Sequence, residues 1–178
     1  MASAPRTKLT LCQLTITLPF GNVIVDNQVI QVGDLGMDQC LAPPARILPM
    51  IDKDNLAFWT WGERGVLAIH RCADCDTLVH PPVPFCPGCE SLNVAPAAVS
   101  GRGRVTTFTI NHKQWVPGLA VPYVLALVEL EEQSDVRVVA NITDCSPADV
   151  TFGMPVEVWF EPHEDLWIPL FRPVGAKA

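Results

Sequence analysis

Two Cys-x-x-Cys pairs, Cys72–Cys75 and Cys86–Cys89, restrict the fold of this chain more than any other feature. Ten residues separate the pairs. Four thiolates can close a tetrahedral shell around a zinc ion, and a tight turn at each pair presents both sulfurs to one ion. Pro87 and Gly88 are typical of such a turn. The spacing predicts a structural zinc ribbon, with the intervening residues forming a short hairpin.

Other uses of the four cysteines fit the sequence less well. Two disulfides would require an oxidising compartment. A redox dithiol normally uses one Cys-x-x-Cys at the start of a helix within a thioredoxin-like pattern, which this sequence lacks. Catalytic zinc keeps one coordination position open, and four cysteine ligands leave none. The metal is therefore predicted to be structural.

The remaining histidines and cysteines near this pattern are assigned no metal role. His70 and His80 flank the cysteines and are interpreted as surface residues, or as residues that contact the ligands rather than the ion. Cys12, Cys40 and Cys145 lack metal-ligand spacing and are interpreted as buried or incidental thiols.

Charge and hydropathy limit the functional class and the compartment. The net charge is −7, and the twelve Lys and Arg residues are scattered, which disfavours binding through nucleic-acid phosphates. No run of about twenty apolar residues predicts a transmembrane helix. Residues 9–25 follow Arg6 and Lys8 and weakly resemble a signal peptide, but polar residues interrupt them and no clear cleavage site follows. We expect a cytoplasmic protein.

Residues 1–46 form a predicted N-terminal extension that is peripheral to the rest of the chain. Residues 21–36 alternate weakly and indicate a hairpin, and the proline-rich stretch 42–49 indicates a connector. Met37 and Met50 are alternative start sites, and we expect much of residues 1–40 to be a peripheral extension, poorly ordered, or upstream sequence included by the choice of start site.

Residues 47–68 form a predicted helical docking segment. Within them, 52–62 indicate a short helix that Asp52 or Asp54 caps and Gly62 ends. The helix carries more large apolar groups than a solvent-exposed helix of this length would carry, which leaves core packing and a partner-binding surface as equal alternatives. The candidate docking residues are Leu56, Phe58, Trp59 and Trp61.

The fold class is mainly β, with a rubredoxin-like zinc ribbon at residues 69–93 and an OB-fold domain at 97–171. Residues 65–72 indicate a strand that leads into the first cysteine pair, and 91–101 a linker or short strand. Short strands with turn-rich connections predict a closed five-stranded barrel. The predicted barrel strands are 102–110, 122–130, 136–142, 155–161 and a last strand near 166–171.

Two barrel strands allow a prediction of which side chains share a face. In the first strand, Val105 is expected on the same face as Thr107, opposite to Phe108. Residues 122–130 are apolar on both faces, as in a strand that is covered on two sides. Gly101 and Gly103 precede a strand and lack the third glycine of a dinucleotide fingerprint. They instead indicate a tight turn or a β-bulge.

These features occur in an order that resembles the DUF35 family of zinc-ribbon and OB-fold proteins. The resemblance covers about residues 47–162 and is carried by IDKDNLAFWTWGERGVLAIHRCADC, HPPVPFCPGCES, SGRGRVTTFTINH, PYVLALVEL and FGMPVEVWFE. It implies a non-catalytic accessory subunit that binds acyl-CoA or scaffolds a thiolase-like enzyme, an aldolase or a MaoC-type hydratase. It also implies that the N-terminal helix and the ribbon dock the partner.

The resemblance supplies no ligand contacts, so candidates for acyl-CoA binding come from chemistry. Cations are needed for the phosphates of CoA, and flat apolar groups for its adenine or acyl chain. The candidates are Arg102, Arg104, Lys113, Trp115 and Tyr123. The alternative is that they are ordinary surface charges and loop aromatics.

Two other classes of function remain as alternatives. Ribbons and OB-folds also bind single-stranded nucleic acid, although acidity and the absence of interleaved basic and aromatic residues disfavour this. An independent enzyme would need a positioned acid, base or nucleophile, for which His112 and then Tyr123 are the best candidates. The sequence contains no G-x-S-x-G, H-E-x-x-H or P-loop motif.

Overall fold

A computed structural model describes residues 22–25, 28–31 and 46–176. Strand β1 (Asn22–Val25) pairs antiparallel with β2 (Gln28–Gln31), which confirms the hairpin expected from the weak alternation of this region. The other predictions for residues 1–45, including those for Cys12 and Cys40, lie outside the described residues.

The ribbon is built on a three-stranded antiparallel sheet. Strand β3 (Leu67–Cys72) lies between β4 (Leu78–Val79) and β5 (Val94–Val99). Strand β4 lies between the cysteine pairs but hydrogen-bonds with β3, which precedes them. The prediction of a short hairpin made only of the residues between the pairs is therefore wrong. Of the two alternatives for residues 91–101, a linker or a short strand, the structure realises the strand as β5.

The helical segment differs from the prediction at both ends. Helix α1 (Leu56–Thr60) continues as a 3₁₀ turn (Trp61–Arg64), and the Asp52 carboxylate accepts backbone hydrogen bonds in the turn before it. The segment ends at Gly65, which has a φ of +69° and caps the turn in the left-handed conformation. Gly62 is buried instead of terminal. In the described part of the chain, no helix has the length and apolar character needed to span a bilayer.

Gly62 allows the helical backbone to pack directly on the barrel. A Cβ at this position would lie 2.5 Å from Phe160 Cδ1 and 2.5 Å from Trp167 Cβ. The absence of a side chain is therefore required by close approach rather than by helix termination.

Five strands close into a barrel, which confirms the OB-fold prediction. They are β6 (Arg102–Asn111), β7 (Tyr123–Leu130), β8 (Arg137–Ile142), β9 (Pro155–His163) and β10 (Leu166–Pro173). Around the barrel the order is β6-β7-β8-β10-β9, and β9 pairs with β6 to close it. Neighbouring strands are antiparallel except β8 and β10, which pair in parallel through Ile142 and Phe171.

A β-bulge in β6 makes the predicted face assignment of Val105 wrong. The register with β7 shifts between Val105 and Thr107, and the Thr106 hydroxyl donates to the Leu127 carbonyl. The extra residue changes the alternation, so Val105 and Phe108 both contribute to the barrel interior. The bulge is at Thr106 and not at the preceding glycines.

Gly103 lies at the seam where the barrel closes. It pairs with Leu130 on β7 and with Val156 on β9. A Cβ at Gly103 would lie 2.4 Å from the Glu129 carbonyl oxygen. Gly101 has a φ of +72°, and a Cβ at this position would lie 2.3 Å from Val158 Cγ1. Both glycines therefore allow close approach of strands.

One apolar core joins the ribbon to the barrel. Leu67, Ile69 and Leu78 of the ribbon sheet belong to the same buried cluster as the barrel interior. The barrel contributes mainly β-branched residues, which pack well on pleated strands. They include Val105, Val124, Val128, Val138 and Val156, with Phe171 at the centre of β10.

Candidate metal centre and its surroundings

The four predicted ligand cysteines converge on one point. Their Sγ atoms all lie within 4.8 Å of one another. The Sγ atoms of Cys72 and Cys89 are 3.6 Å apart, and those of Cys75 and Cys86 are 3.5 Å apart. Zinc–sulfur bonds of about 2.3 Å in a tetrahedron require sulfurs about 3.8 Å apart. The arrangement fits zinc, which confirms the predicted cofactor.

The first cysteine pair is shaped by backbone hydrogen bonds. The Cys72 amide donates to the Thr77 carbonyl at 2.9 Å, and the Asp76 amide donates to the Cys72 carbonyl at 2.9 Å. Asp76 has a φ of +66°, which turns the chain back after the second cysteine. The turn brings the Thr77 hydroxyl oxygen within 3.2 Å of Cys75 Sγ.

The second cysteine pair repeats this structure. The Cys86 amide donates to the Ser91 carbonyl, the Glu90 amide donates to the Cys86 carbonyl, and Glu90 has a φ of +61°. The sequence contains the corresponding repeat, CADCDTL at 72–78 and CPGCESL at 86–92. This seven-residue repeat is a sequence signal that the cysteine spacing alone does not carry, and it predicts two equivalent turns rather than two isolated cysteine pairs.

Hydrogen bonding favours the metal-binding form of one ligand and connects the two turns. The pKa of Cys75 is lowered to about 6, and the largest cause is the Thr77 hydroxyl, which can donate a hydrogen bond to the Cys75 thiolate. The Asp74 carboxylate accepts from the Ser91 hydroxyl and from Asn93, and these bonds lower the Asp74 pKa. Asp74 of the first turn is thereby joined to Ser91 of the second.

His80 is half-buried, because Phe58 of the helical segment packs against it. Its ring centroid lies 5.0 Å from that of Phe58. Burial, and then the neighbouring His70, lowers the pKa of His80 to about 4. Both ring nitrogens of His70 are buried without a hydrogen-bond partner among the described residues. Burial lowers the His70 pKa, and Asp54 partly opposes the effect.

The four candidate docking residues occupy different environments. Phe58 packs against the shared core and meets Trp59 edge to face, with ring centroids 4.7 Å apart. Trp61 has the Arg64 guanidinium over its ring at 4.8 Å. Leu56 is 49% exposed. Of the two alternatives, core packing applies to Phe58, whereas Leu56 is exposed and partner binding stays a prediction.

A shallow apolar cavity of about 330 Å³ lies beside Trp59. Ile47 and Pro49 before the helix, Leu119 in the loop after β6, and Ile168 on β10 line it. Arg46 forms its polar edge through an ion pair with Glu161, in which Nε and Oε1 are 2.6 Å apart. Neither Arg46 nor this cavity was singled out in the sequence.

The candidate acyl-CoA residues fall into two groups. Lys113 Nζ lies 4.1 Å from the centroid of the Trp115 ring, and Trp115 Nε1 donates to the Asn111 side chain. Asn111 is opposite Tyr123 in the β6–β7 ladder, so these groups share one end of the barrel. His112 is exposed beside them.

The two arginines lie toward the other end of β6. Arg104 is seven residues from Asn111, which corresponds to about 23 Å along a strand. Its guanidinium donates to the Gly153 carbonyl, and Arg102 is exposed two residues earlier. Contact with acyl-CoA stays a prediction for all five residues, but the structure does not place them together.

Gln133 connects the ribbon to the barrel through a pair of hydrogen bonds. Its Oε1 accepts from the Leu78 amide at 2.8 Å, and its Nε2 donates to the Leu78 carbonyl at 3.2 Å. The side-chain amide thus satisfies the backbone hydrogen-bonding groups of Leu78 in β4, as a neighbouring strand would. A glutamine in a polar turn carries no sequence signal for this role.

Comparison with known proteins relates both parts of the chain to one family. Residues 59–95 match the ChsH2 rubredoxin-like zinc ribbon domain, and residues 97–161 match the ChsH2 C-terminal OB-fold domain. A DUF35 domain-containing scaffold protein of Methanocaldococcus jannaschii is 34% identical over 119 residues. That alignment covers 61% of this chain and 79% of the scaffold protein.

Two longer relatives are named as hydratase subunits. The probable enoyl-CoA hydratase alpha subunit of Thermomonospora curvata is 39% identical over 126 residues, which cover 70% of this chain and 39% of that protein. The 3-oxo-4,17-pregnadiene-20-carboxyl-CoA hydratase alpha subunit of Mycobacterium tuberculosis is 38% identical over 133 residues, or 75% of this chain and 42% of that protein. The chain thus spans about two fifths of their length.

A solved structure gives the same assignment. The chain aligns with one described as the Ltp2-ChsH2(DUF35) aldolase, with a TM-score of 0.65 and 38% identity. The alignment covers 71% of this chain and 98% of the solved chain.

Proposed function

This chain belongs to the DUF35 family, and on that premise we propose that it is a non-catalytic accessory subunit of an enzyme acting on acyl-CoA. The relatives named above are hydratase subunits, an aldolase complex and scaffold proteins. The proposed partner is therefore an aldolase, a hydratase or a related thiolase-like enzyme of lipid or steroid metabolism.

The observation that carries the proposal is an exposed apolar surface along the helical segment. We call it the docking surface, and it consists of Ile47, Met50, Ile51, Leu56 and the cavity beside Trp59. Ile47 is 83% exposed and Met50 is 91% exposed. Several large apolar groups within ten residues are typical of a protein interface rather than of a free surface.

The rest of the fold supports the docking surface from two sides. Helix α1 and the following turn contact β3 of the ribbon and β10 of the barrel. Gly62 brings the turn directly onto Phe160, and Phe58 covers His80. Because β3 also carries Cys72, zinc binding fixes the sheet on which the helix rests. This gives the ribbon a structural role in docking without a catalytic one.

For acyl-CoA, we propose contact at the end of the barrel that carries Lys113, Trp115 and Tyr123. Trp115 is 65% exposed and presents a flat surface, and Lys113 supplies a cation beside it. Arg102 and Arg104 lie toward the other end of β6, so their contact with acyl-CoA stays a separate prediction. The division into helical segment 47–68, ribbon 69–93 and barrel 97–171 remains part of this proposal.

The test is co-purification of the untagged, zinc-loaded chain from its own cells, with masses and zinc determined on the same complex. We expect an aldolase, hydratase or thiolase-like partner and about one zinc per chain. The double variant Met50→Asp, Leu56→Asp should lose the partner. The double variant Leu92→Asp, Val174→Asp is the matched control, because Leu92 and Val174 are 80% and 51% exposed elsewhere. It should retain the partner.

Three outcomes would contradict the proposal. One is a chain that purifies alone and is retained on single-stranded oligonucleotide in a salt-sensitive manner. Another is equal loss of the partner in both double variants. The third is a partner complex in which His112→Ala abolishes turnover while acyl-CoA binding, assembly and zinc content are unchanged, since that would make the chain catalytic.

A further inference from the structure

The outer face of the barrel carries a second apolar surface, distant in sequence from the docking surface. We call it the barrel patch, and it consists of Thr107, Thr109, Leu125, Leu127 and Val139. Leu125 is 41% exposed and Val139 is 61% exposed. The sequence predicted that β7 is covered on both faces, but the described residues cover only the inner one.

Strand register makes the barrel patch continuous across three strands. Thr107 of β6 lies opposite Leu127 of β7, which lies opposite Val139 of β8. The next row contains Thr109 and Leu125. A shallow depression of about 220 Å³ lies over these rows. Outward-facing positions of a solvated barrel are normally polar, so the two rows indicate a covered surface.

Polar groups mark the two edges of the barrel patch. On one edge, Arg137 pairs with Glu129 at 3.2 Å. On the other edge lies Asn141, whose Oδ1 accepts from Arg46 Nη1 at 2.9 Å. Arg46 also makes a two-bond contact with Glu161, and its side chain is only 18% exposed.

Arg46 therefore fixes where the preceding chain begins. Asn141 lies opposite Leu125 in the ladder, so the chain that leads to residue 45 starts beside the barrel patch. The fourteen residues between β2 and Arg46 can span up to about 46 Å, which is enough for the hairpin to reach the barrel patch. A short tether of this kind gives an attached segment an effective concentration in the millimolar range.

The hairpin β1–β2 needs an apolar partner. Its register places Val23 opposite Ile30 and Ile24 opposite Val29, so two consecutive pairs of the ladder are formed by apolar residue types. A two-stranded hairpin is at best marginally stable alone in water. Between residues 9 and 31 the only charged residue is Asp26, which lies in the sequence between the two strands, so no charge within β1 or β2 opposes their burial.

We propose that the hairpin β1–β2 packs on the barrel patch and covers Leu125, Leu127 and Val139. The two surfaces match in size, since four residues of a strand extend about 13 Å and the patch spans three strands of about 4.8 Å spacing. The N-terminal extension is then part of the folded domain. The docking surface stays free for a partner, so this inference does not depend on the proposed function.

The experiment is methyl NMR on the full-length, zinc-loaded chain with labelled Ile, Leu and Val. We expect cross-peaks from Ile24 or Ile30 to Leu125 or Val139. The same cross-peaks should be absent from an isotope-filtered spectrum of mixed labelled and unlabelled chains, because the contact is intramolecular. Hydrogen exchange of the β1 and β2 amides should accelerate at least tenfold in Val139→Asp. It should not change in Val174→Asp, a control at another exposed valine.

Both substitutions are at exposed positions, so the barrel amides should keep their protection from hydrogen exchange. Faster exchange in β1 and β2 can then be distinguished from unfolding of the barrel. Cross-peaks found only between chains would assign the barrel patch to a second copy and overturn the proposal. Burial of Val139 only after addition of the purified partner enzyme would assign it to that partner. Unchanged exchange of β1 and β2 in Val139→Asp would equally reject the hairpin as the cover.

Discussion

The ribbon and the barrel share one apolar core but are ordered by different interactions. In the barrel, alternate residues of β7 and β8 are buried, and the other three strands contribute Val105, Val156 and Phe171 at 0% exposure. From Cys72 to Ser91, the buried residues are two ligand cysteines, Leu78 and Val79. The turns that hold the cysteines depend on backbone hydrogen bonds and on the metal.

The difference shows how a short segment gains order when it cannot bury enough apolar surface. About twenty residues offer too little core to offset the conformational entropy of folding. Zinc coordination supplies that free energy, about 10–16 kcal/mol for structural sites in small peptides. The barrel needs no metal because its closed sheet buries both the apolar side chains and the backbone polar groups.

Removal of a zinc ligand should produce the largest difference in hydrogen exchange between the ribbon and the barrel. In Cys86→Ser we expect loss of zinc and at least hundredfold faster hydrogen exchange of residues 76–91, while the β7 and β8 amides stay protected. Zinc per chain and exchange by mass spectrometry measure this. Cys145→Ser, a thiol outside the metal centre, should keep one zinc. Retention of zinc in Cys86→Ser would contradict the assigned ligand set.

A substitution at the barrel seam should destabilise the protein more than a substitution in the ribbon turn does. Gly103→Val places side-chain atoms against the Glu129 carbonyl, so we expect a loss of more than about 3 kcal/mol in the free energy of unfolding. Gly88→Ala in the ribbon should have little effect, because the nearest atom to its Cβ would be 3.5 Å away. Denaturant unfolding compares the two, and equal effects would show that the seam is not tightly packed.

Acidification should weaken the contact between the helical segment and the ribbon. His80 has a pKa of about 4 in the folded chain and about 6.5 when unfolded, so only the unfolded chain gains a proton between these values. Stability therefore falls as pH decreases, by about 2 kcal/mol from pH 7 to pH 5. Unfolding of His80→Gln should lack this part of the pH dependence. His112→Gln, at an exposed histidine, should retain it, and identical pH profiles would exclude His80 as the cause.

Loss of the link through Gln133 should have the smallest effect. Gln133→Ala leaves the Leu78 amide and carbonyl without their side-chain partner, and we expect a cost of about 1 kcal/mol. Exchange should accelerate in β4 more than in β7. Gln114→Ala removes a side-chain bond from an exposed loop and should change stability by less than about 0.5 kcal/mol. Acceleration confined to the barrel would contradict a link between the two regions.

Local patterns were sufficient for the metal centre and for the barrel class. Cys-x-x-Cys spacing identifies ligands because both sulfurs of each pair lie on one tight turn. Alternating apolar residues identify the strands because side chains alternate across a sheet. The phase of β6 could not be obtained this way, because the bulge at Thr106 depends on pairing with β7. The helix end at Gly65 was missed because the close packing of Gly62 on Phe160 is not visible in sequence.

The amino-acid sequence by itself determined the zinc ligands, the five-stranded barrel and the order of the parts, since each follows from residues near one another in the chain. The tertiary structure decided which residues share a surface. It packed His80 against Phe58, separated Arg104 from Lys113, and joined Gln133 to Leu78. It also placed Arg46 at the edge of the barrel patch through Asn141. These contacts join residues far apart in the chain, so strand register and packing fix them, and no local pattern encodes them.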